Sequence, residues 1–276
     1  MTAPTVSVVV PAYRNGATLA ETLQSILDQQ GTDFELVVAD HASDDDTLAV
    51  AERYADDPRV RVLSTPSGGG AVRNWQRVTD AASGEFIKLV CGDDVLRPGV
   101  LARQATLLRS SGAALTACRR DIIGADGRIL MPAWGLRGID RQMAGASAVR
   151  AAVRAGSNLF GEPASVMMRR EALVSAGGWF SAFPYLIDQA TYSRVLIDGE
   201  FVPDAQVGAT FRMTQGQWSV ALVASQAQQA RAFHHWLRET HPDVVSPADV
   251  ALGDARAWLM ARLRRASYRA LSRRMR

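Results

Sequence analysis

The 276-residue sequence is poor in cysteine, lysine and long apolar runs, and each shortage excludes a class of protein. Its two cysteines, Cys91 and Cys118, cannot form a disulfide framework, and their spacing matches no zinc site. We expect both thiols to be reduced, as in a cytoplasmic protein. No stretch reaches the roughly 18 apolar residues of a membrane span, which predicts a soluble or peripheral protein.

Charge and histidine content exclude two further classes. Lys88 is the single lysine, and the formal net charge is only +3, with the excess concentrated near the C-terminus. We therefore expect no nucleic-acid partner. The histidines form no metal-ligand constellation; they are His41, His234, His235 and His241. With 47% apolar residues the chain can bury a core, as one large or two smaller domains.

The first hundred residues alternate between short β-rich runs and helical patterns, which predicts βαβ units and a mainly parallel sheet. We place strands at 6–10, 34–39, 60–63 and 86–90, with helices near 18–29, 45–54 and 71–82. The second half is less regular, with a helix near 100–110, a strand near 114–118 and a polar connection over 132–145. We expect it to pack on the same sheet. A helical pattern runs from about 220 to the end.

Polar and small residues follow each predicted strand, where an open α/β sheet binds its ligands. They are Pro11-Ala12-Tyr13, Asp40 to Ser43, Gly68 to Gly70 and Asp93-Asp94. Because the carboxyl ends of parallel strands share one edge, we expect these segments to line one crevice. A dehydrogenase-type dinucleotide site would need G-x-G-x-x-G after the first strand, and "PAYRNGAT" does not supply it.

Carboxylates at two of these strand ends are candidate ligand groups. In "ELVVADHASDDDT" the residues 43–46 are expected to cap the next helix, but capping does not explain Asp40, which suits a ring N–H such as that of uracil. Asp93 and Asp94 are adjacent and repel each other unless a cation, a hydroxyl or turn amides take up the charge. The alternative is a β-turn before a Pro-led helix, since "DDVLRPG" has turn composition.

Four motifs in order make the chain similar to a known family. Pro11-Ala12-Tyr13 is followed by "FELVVADHASDDDT", "RNWQRVTDAASGEFIKLVCGDD" and "GGWFSAFPYLIDQATYSRVLIDGE". Together they resemble the inverting family 2 glycosyltransferases of the GT-A fold, over about residues 6–219. The resemblance implies one α/β domain with a Rossmann-like, mostly parallel sheet flanked by helices. Residues 1–98 would bind a nucleotide sugar, 99–219 the acceptor, and 220–276 would be a helical extension.

The resemblance assigns donor-binding roles to residues of the first half. The donor would be a UDP- or dTDP-linked sugar, with Asp40 on its base, Arg73 near the base or diphosphate, and Asp93 near the ribose or sugar. The residues expected to pack around the base are Pro11, Ala12 and Tyr13. Asp94 would coordinate Mn²⁺ or Mg²⁺ on the diphosphate, which neutralises the leaving group.

In the family, an acid after a "GGF"-like turn removes the proton of the acceptor hydroxyl, and "GGWFSAFPYLIDQATYSRVL" supplies Asp188. The alternative is an ordinary N-terminal acid of the following helix, a role compatible with the first. Relatives often carry Glu at Ile187, an acid at Cys91 and His at Thr214, and the last two departures concern metal binding.

Further residues are candidate contacts to the acceptor or the donor sugar, and turn or structural roles explain them equally well. They are Asn158, Glu162, Arg212 and Trp218. The basic, amphipathic segment 255–276 either lies on an anionic membrane surface or packs on the domain. The first alternative would place a cytoplasmic protein peripherally at the inner face of the cell membrane.

The resemblance thus implies transfer of a sugar to a hydroxyl of a glycan, lipid-linked or small-molecule acceptor, in cell-surface glycan, glycolipid or natural-product glycosylation. A nucleotidyltransferase that makes the nucleotide sugar is a rival, but it would need a Gly-rich, basic loop after the first strand. "PAYRNG" has one Arg and one Gly there. A non-catalytic binding module is the second rival, and the joint presence of Asp40, Asp94 and Asp188 argues against it.

Overall fold

The computed structural model describes residues 4–213 and 225–274, with side chains of the last helix up to residue 262. The strands are β1 Val6–Ala12, β2 Phe34–Asp40, β3 Val60–Ser64, β4 Phe86–Leu89, β5 Leu115–Ile123, β6 Ile129–Trp134, β7 Met143–Ala144, β8 Val166–Arg169 and β9 Glu200–Arg212. The helices are α1 Leu19–Leu27, α2 Thr47–Glu52, α3 Gly70–Asp80, α4 Val100–Ser111, α5 Gly145–Ala155, α6 Arg170–Ser175, α7 Ile187–Ile197, α8 Gln226–Thr240 and α9 Pro247–Arg274.

All of these strands belong to one sheet, in the order β3-β2-β1-β4-β8-β5-β9-β7, with β6 paired to β5. The first four strands are parallel, and β8 then runs antiparallel between β4 and β5. Strands β1 and β2 are apolar runs without alternation because helices cover both faces of the sheet. The sheet is continuous through both halves of the chain, which agrees with the expected α/β architecture.

Two cores lie on opposite faces of the sheet. One gathers β-strand residues with α1 and α4, for example Leu23 and Leu101. The other packs α3, α5, α7 and α8 on the opposite face, with Val149 and Phe233 among its members. The carboxyl ends of β1, β2 and β4 therefore open at one edge of a well-supported sheet.

The second half departs from the sequence predictions in two places. The strand expected at 114–118 continues to Ile123, and its pairing with β9 was not anticipated. The polar connection expected over 132–145 is wrong at its start, because β6 pairs antiparallel with β5 there. The exposed β6 tolerates Pro132 because an edge strand need not donate every backbone hydrogen bond.

The first part of α9 packs on the domain, as one of the two alternatives predicted. A Cβ on Gly156 would lie 2.5 Å from the backbone nitrogen of Ala257 and 2.7 Å from the carbonyl oxygen of Gly253, so α5 and α9 approach closely. Trp258 and Leu259 nevertheless remain 52% exposed. Within the part of the chain that the structure describes, no helix has the length and apolar character needed to cross a bilayer.

Candidate active site

The loops after β1 and β2 lock together at the sheet edge. Ala12 pairs with Asp40 in the sheet, and the N–H of His41 donates to the carbonyl of Ala12 at 3.0 Å. The backbone N–H of Arg14 donates to Ser43 Oγ at 3.0 Å. Arg14 and Ala42 both adopt positive φ, at 53° and 50°. Strained non-glycine backbone of this kind concentrates at functional sites, where the surrounding contacts enforce it.

Asp40 presents an unused acceptor at this edge. Its side chain is buried, and Oδ2 accepts the backbone N–H of Ser43 at 3.1 Å. Oδ1 is buried without a hydrogen-bond partner among the described residues. A buried carboxylate oxygen normally has a partner, so this atom is suited to accept a hydrogen bond from a ligand N–H.

The other predicted donor-binding residues surround Asp40 in different ways. Pro11 and Ala12 are buried in β1, whereas Tyr13 is 52% exposed, with its ring 6.0 Å from that of His41. Arg73 is exposed in the first turn of α3 and donates to the carbonyl of Ser67 at 2.9 Å. Tyr13 and Arg73 are therefore side chains that a ligand can reach from solvent.

Asn74 was missed by sequence reasoning, although it joins the three strand ends. Its buried Nδ2 donates to the carbonyls of Ala39 at 2.9 Å and Ala12 at 3.2 Å, and its Oδ1 accepts the hydroxyl of Thr65 at 2.7 Å. The sequence pattern of an amphipathic helix does not reveal this role, because the hydrogen-bond partners of Asn74 are distant in sequence.

The loop Cys91 to Asp94 lies against the first loop. The N–H of Asp94 donates to the carbonyl of Cys91 at 3.0 Å, so the turn expected as the alternative is present. Gly92 is required there, because a Cβ would lie 2.6 Å from Asn15 Oδ1. Asp94 itself is fully buried, and its Oδ2 has no hydrogen-bond partner in the described part of the chain. Turn formation alone leaves that oxygen unexplained.

Arg212 braces this loop from β9. Its backbone N–H donates to Asp94 Oδ1 at 3.1 Å, its Nε donates to the carbonyl of Asp93 at 2.9 Å, and its Nη2 pairs with Glu21 at 2.6 Å. These bonds hold the acidic loop in place, and contact of Arg212 with the acceptor or sugar stays a prediction. Trp218 and Thr214 lie outside the described residues.

The acidic loop is compatible with a divalent cation whose remaining coordination positions are filled by a bound phosphate ligand and water. No group of three or more His, Cys, Asp or Glu side chains suitable for a metal occurs among residues 4–213 and 225–274. Asp94 still offers a buried oxygen without a partner, beside a second carboxylate. Mg²⁺-type ions in phosphate sites commonly take one or two carboxylates, with phosphate and water supplying the remainder.

Asp188 lies in the first turn of α7, where its side chain is partly buried and lines a cavity. Its Oδ1 accepts the N–H of Gln189 at 2.7 Å, and its Oδ2 accepts Asn158 Nδ2 at 2.9 Å. Burial raises the pKa of Asp188 to about 7; the charge of Glu162 adds to the increase, and the two hydrogen bonds oppose it. A carboxyl group with this pKa can take up or release a proton near neutral pH.

Asn158 and Glu162 belong to a network of hydrogen bonds and ion pairs around Asp188, and the sequence indicated only part of this network. Asn158 Oδ1 accepts the N–H groups of Phe160 and Gly161, which is the turn role weighed as an alternative. Glu162, which is partly exposed, forms an ion pair with the buried Arg120 on β5, which sequence reasoning missed. The sequence "LTACRRDII" did contain a signal, because two arginines stand between apolar residues of one strand. We missed it because the strand was expected to end at Cys118.

A buried polar cluster holds the turn after Glu162. The Nζ of Lys88 donates to Gln104 Oε1 at 2.8 Å and to the carbonyl of Val166 at 3.3 Å, and Gln104 Nε2 donates to the carbonyl of Ser165 at 2.9 Å. Burial lowers the pKa of Lys88 to about 8. The single lysine of the chain thus anchors the segment between Glu162 and β8.

Cys91 is near both the acidic loop and Asp188. Burial raises the pKa of its thiol well above the usual range, and the nearby charges of Asp94, Asp93, Asp188 and Glu162 add to the increase. The predicted base and the acidic loop are therefore both close enough to Cys91 for their charges to act on its thiol. A cavity of about 850 Å³ extends from Asp188 and Glu162 past β6 to α8 and α9.

Comparison with known proteins identifies the class of protein with this fold and site. Residues 7–175, more than half of the chain, match the model of glycosyl transferase family 2, so the chain belongs to that family. An uncharacterized protein of Mycobacterium tuberculosis, MT1568, is 34% identical over 211 residues, which cover 72% of this chain and 65% of the relative. The succinoglycan biosynthesis protein ExoO of Rhizobium meliloti is 35% identical over 129 residues, covering 46% and 36%.

Solved structures show that the chain has the GT-A glycosyltransferase fold. Residues 1–349 of TarS from S. aureus in complex with UDP-GlcNAc align with a TM-score of 0.66 and 19% identity, over 85% of this chain and 66% of that one. The mannosyltransferase PcManGT from Pyrobaculum calidifontis, in complex with GDP-Man and Mn²⁺, aligns at 0.62 and 17%, over 99% and 81%. The chain spans 65% or less of the length of the two curated relatives above.

Proposed function

We propose that the protein is an inverting glycosyltransferase that moves a sugar from a UDP- or dTDP-linked donor to a hydroxyl of a glycan, lipid-linked or small-molecule acceptor. One observation carries this proposal: Asp188, with a pKa of about 7, lines a large cavity, and Asn158 and the N–H of Gln189 hold its carboxylate there. A base with a pKa near the working pH is half ionised before the reaction and accepts a proton readily.

In the proposed reaction Asp188 takes the proton of the acceptor hydroxyl while the hydroxyl oxygen forms its bond to C1 of the sugar. The bond between C1 and the phosphate oxygen breaks, and the nucleoside diphosphate leaves with the electron pair. Attack from the opposite face inverts the configuration at C1. Asn158 and the N–H of Gln189 each donate to one oxygen of Asp188, which fixes the direction of the carboxylate.

The donor would bind along the edge formed by β1, β2 and β4. Oδ1 of Asp40 would accept the ring N–H of uracil or thymine, with Pro11, Ala12 and Tyr13 around the base. Arg73 would lie near the base or diphosphate, and Asp93 near the ribose or sugar. Residues 1–98 then bind the donor and 99–219 the acceptor, with Asn158 and Glu162 close to where acceptor and sugar meet.

A divalent cation, Mn²⁺ or Mg²⁺, would be held by Asp94 together with the donor's phosphates. When bound, such an ion neutralises the charge that develops on the leaving diphosphate. The buried and unpartnered Oδ2 of Asp94 supports this assignment. Arg212 keeps the loop positioned through its bonds to Asp93 and Asp94.

The donor assignment is tested by thermal shift with UDP, dTDP, GDP, ADP and CDP, each with Mn²⁺ and with EDTA. We expect the melting temperature to rise with UDP or dTDP and less with the other three nucleotides. Turnover of the matching sugar nucleotides is then measured as release of the free nucleotide. No stabilisation by any of the five nucleotides would contradict the proposal.

We further propose that segment 255–276 contacts an anionic membrane surface, which would place the protein peripherally at the inner face of the cell membrane. Exposed Trp258 and Leu259, together with the arginines that follow them, support this placement. Trp258→Ser/Leu259→Ser is the informative variant because both side chains are exposed, whereas Ala257 and Ala261 are buried. We expect it to reduce co-sedimentation with phosphatidylglycerol vesicles, while Val174→Ser, at an exposed valine of α6, leaves it unchanged.

A further inference from the structure

Four arginines surround a second pocket, which adjoins the Asp188 cavity. This pocket of about 570 Å³ lies between α5, α9 and the segment after β6. Its arginines are Arg137, Arg150, Arg154 and Arg256. The remaining lining residues are small or apolar, and among the described residues that line it none carries a carboxylate. The lining of the pocket is therefore strongly positive, and no acidic side chain among its described lining residues balances this charge.

One carboxylate pairs with two of these arginines, and it does not line the pocket. Arg150 Nε donates to Asp249 Oδ2 at 2.8 Å, and Arg154 Nη1 donates to Asp249 Oδ1 at 2.7 Å. Burial alone would disfavour the charge of Asp249, but hydrogen bonds from Ser246 and the two arginines hold its pKa well below the usual range. Asp249 is thus an anion at neutral pH, and this one carboxylate is shared by two of the four arginines.

The arginine side chains are held in place before any ligand arrives. Arg256 Nη1 donates to the carbonyl of Arg154 at 3.0 Å, and Arg137 stacks over the ring of Trp134 at 4.7 Å. Arg150 and Arg154 each use one side of the guanidinium fork on Asp249. A fixed guanidinium loses little side-chain entropy on binding, and its planar fork matches the oxygen geometry of phosphate.

The pocket is continuous with the proposed reaction site. Arg137, Leu159 and Arg256 line both this pocket and the cavity that contains Asp188. A single ligand can therefore place a hydroxyl at Asp188 and an anionic group among the arginines. The shared wall contains the apolar side chain of Leu159, and Leu186 lines the Asp188 cavity beside it.

We propose that this arginine pocket binds a phosphate or diphosphate group of the acceptor. The inference rests on the proposed glycosyltransferase function and specifies its acceptor class, a phosphorylated sugar whose free hydroxyl reaches Asp188. The same chemistry occurs in a soluble sugar phosphate and in a lipid-linked one. The donor's diphosphate is assigned to the Asp94 side of the site, so the two anion sites are separate.

The test is calorimetric titration of the full chain with inorganic pyrophosphate and with decyl diphosphate, in EDTA at low salt. Arg137→Gln/Arg256→Gln removes the two charges that contact a carbonyl and an aromatic ring and leaves the ion pairs of Asp249 intact. Arg53→Gln/Arg77→Gln, at exposed positions directly after α2 and on α3, matches it in net charge. We expect the pocket variant to weaken binding of both ligands at least about tenfold, and the control variant to bind like the wild type.

Each outcome of this experiment supports or overturns the pocket. Tighter binding of decyl diphosphate than of pyrophosphate assigns the pocket to a lipid-linked phosphate, and equal binding assigns it to a soluble one. Equal affinities of the pocket variant and the control variant overturn the inference, as does binding to phosphatidylglycerol vesicles without binding to either soluble ligand. The single change Arg137→Gln serves the same comparison if the double variant does not fold.

Titration of the same variants with UDP and Mn²⁺ separates this inference from the proposed function. If UDP binds all variants with equal affinity and the arginine substitutions do not change the affinity for pyrophosphate, the donor-site proposal is supported and the pocket inference is overturned. If the arginines control pyrophosphate binding but no nucleoside diphosphate binds, the pocket stands as an anion site and the glycosyltransferase proposal fails.

Discussion

The proposed donor side and the proposed acceptor side of the site are built by different means. On the donor side, Pro11, Asp40 and Asp94 lie at or near the ends of parallel strands, and hydrogen bonds between neighbouring loops position them. On the acceptor side, Asp188 and Glu162 come from a helix and a turn, and partners on other elements orient them. The topology of the sheet thus determines the first, whereas long-range side-chain contacts determine the second.

The largest effect should come from the acceptor side. Asp188→Asn removes the proposed base, and we expect kcat to fall by about 10³-fold with the affinity for donor unchanged. Asp198→Asn, an exposed acid at the other end of α7, is the matched control and should retain full activity. Release of nucleotide measures both. Wild-type turnover of Asp188→Asn would remove this residue from the mechanism.

The complementary change on the donor side should affect binding. In Asp40→Asn the amide oxygen can accept from Ser43, but the amide NH₂ would then face the ligand N–H. We expect the Kd for UDP to rise about ten- to hundredfold, since hydrogen bonds to a charged partner contribute about 1.5–3 kcal/mol. Asp44→Asn changes an exposed pair with Arg14 and should have little effect. Equal Kd values for the two variants in calorimetry would contradict a role of Asp40 in base binding.

A third change tests the close approach of α9 to α5, the helix that packs beside the proposed acceptor side. Gly156 and Gly112 both end a helix at positive φ, but a Cβ on Gly112 meets nothing within 4 Å, whereas one on Gly156 meets α9. Gly112→Ala should cost about 1 kcal/mol of folding free energy from backbone strain, and Gly156→Ala about 1–3 kcal/mol more from overpacking. Chemical denaturation measures the difference. Equal losses would show that α5 and α9 do not require this close approach.

The smallest effect concerns the pH dependence. Asp188 must be ionised to act as a base, so wild-type activity should rise as the pH increases through about 7. Glu162→Gln removes a negative charge near Asp188 and leaves the charge of Arg120 uncompensated, and both effects lower the pKa of Asp188. The other titratable groups close to this carboxyl, Tyr192 and Cys91, are unchanged.

We therefore expect the midpoint of the kcat profile of Glu162→Gln to move about one unit toward lower pH. Glu171→Gln, an exposed acid on α6, should leave the midpoint unchanged. A shift toward higher pH would show that Glu162 does not act on Asp188 through its charge.

The sequence was sufficient for the fold class, the family and the strand-end segments of the donor side. Unbroken apolar runs such as "VSVVV" mark buried parallel strands, and parallel strands bring their carboxyl ends to one edge whatever the loops contain. Asp40 and Asp94 were predicted because each follows such a run. The order of the motifs then predicted Asp188 as the base, although its partners in space were not visible.

Only the tertiary structure decided the acceptor side. Arg120 meets Glu162 and Asp249 meets Arg150 across wide gaps in the sequence, and no local periodicity records which side chains will meet after packing. The same holds for Asn74, whose bonds join separate strands. Strand ends converge through backbone geometry, which a sequence pattern specifies. Ion pairs and pockets depend on the packing of whole elements, and this packing exists only in the folded chain.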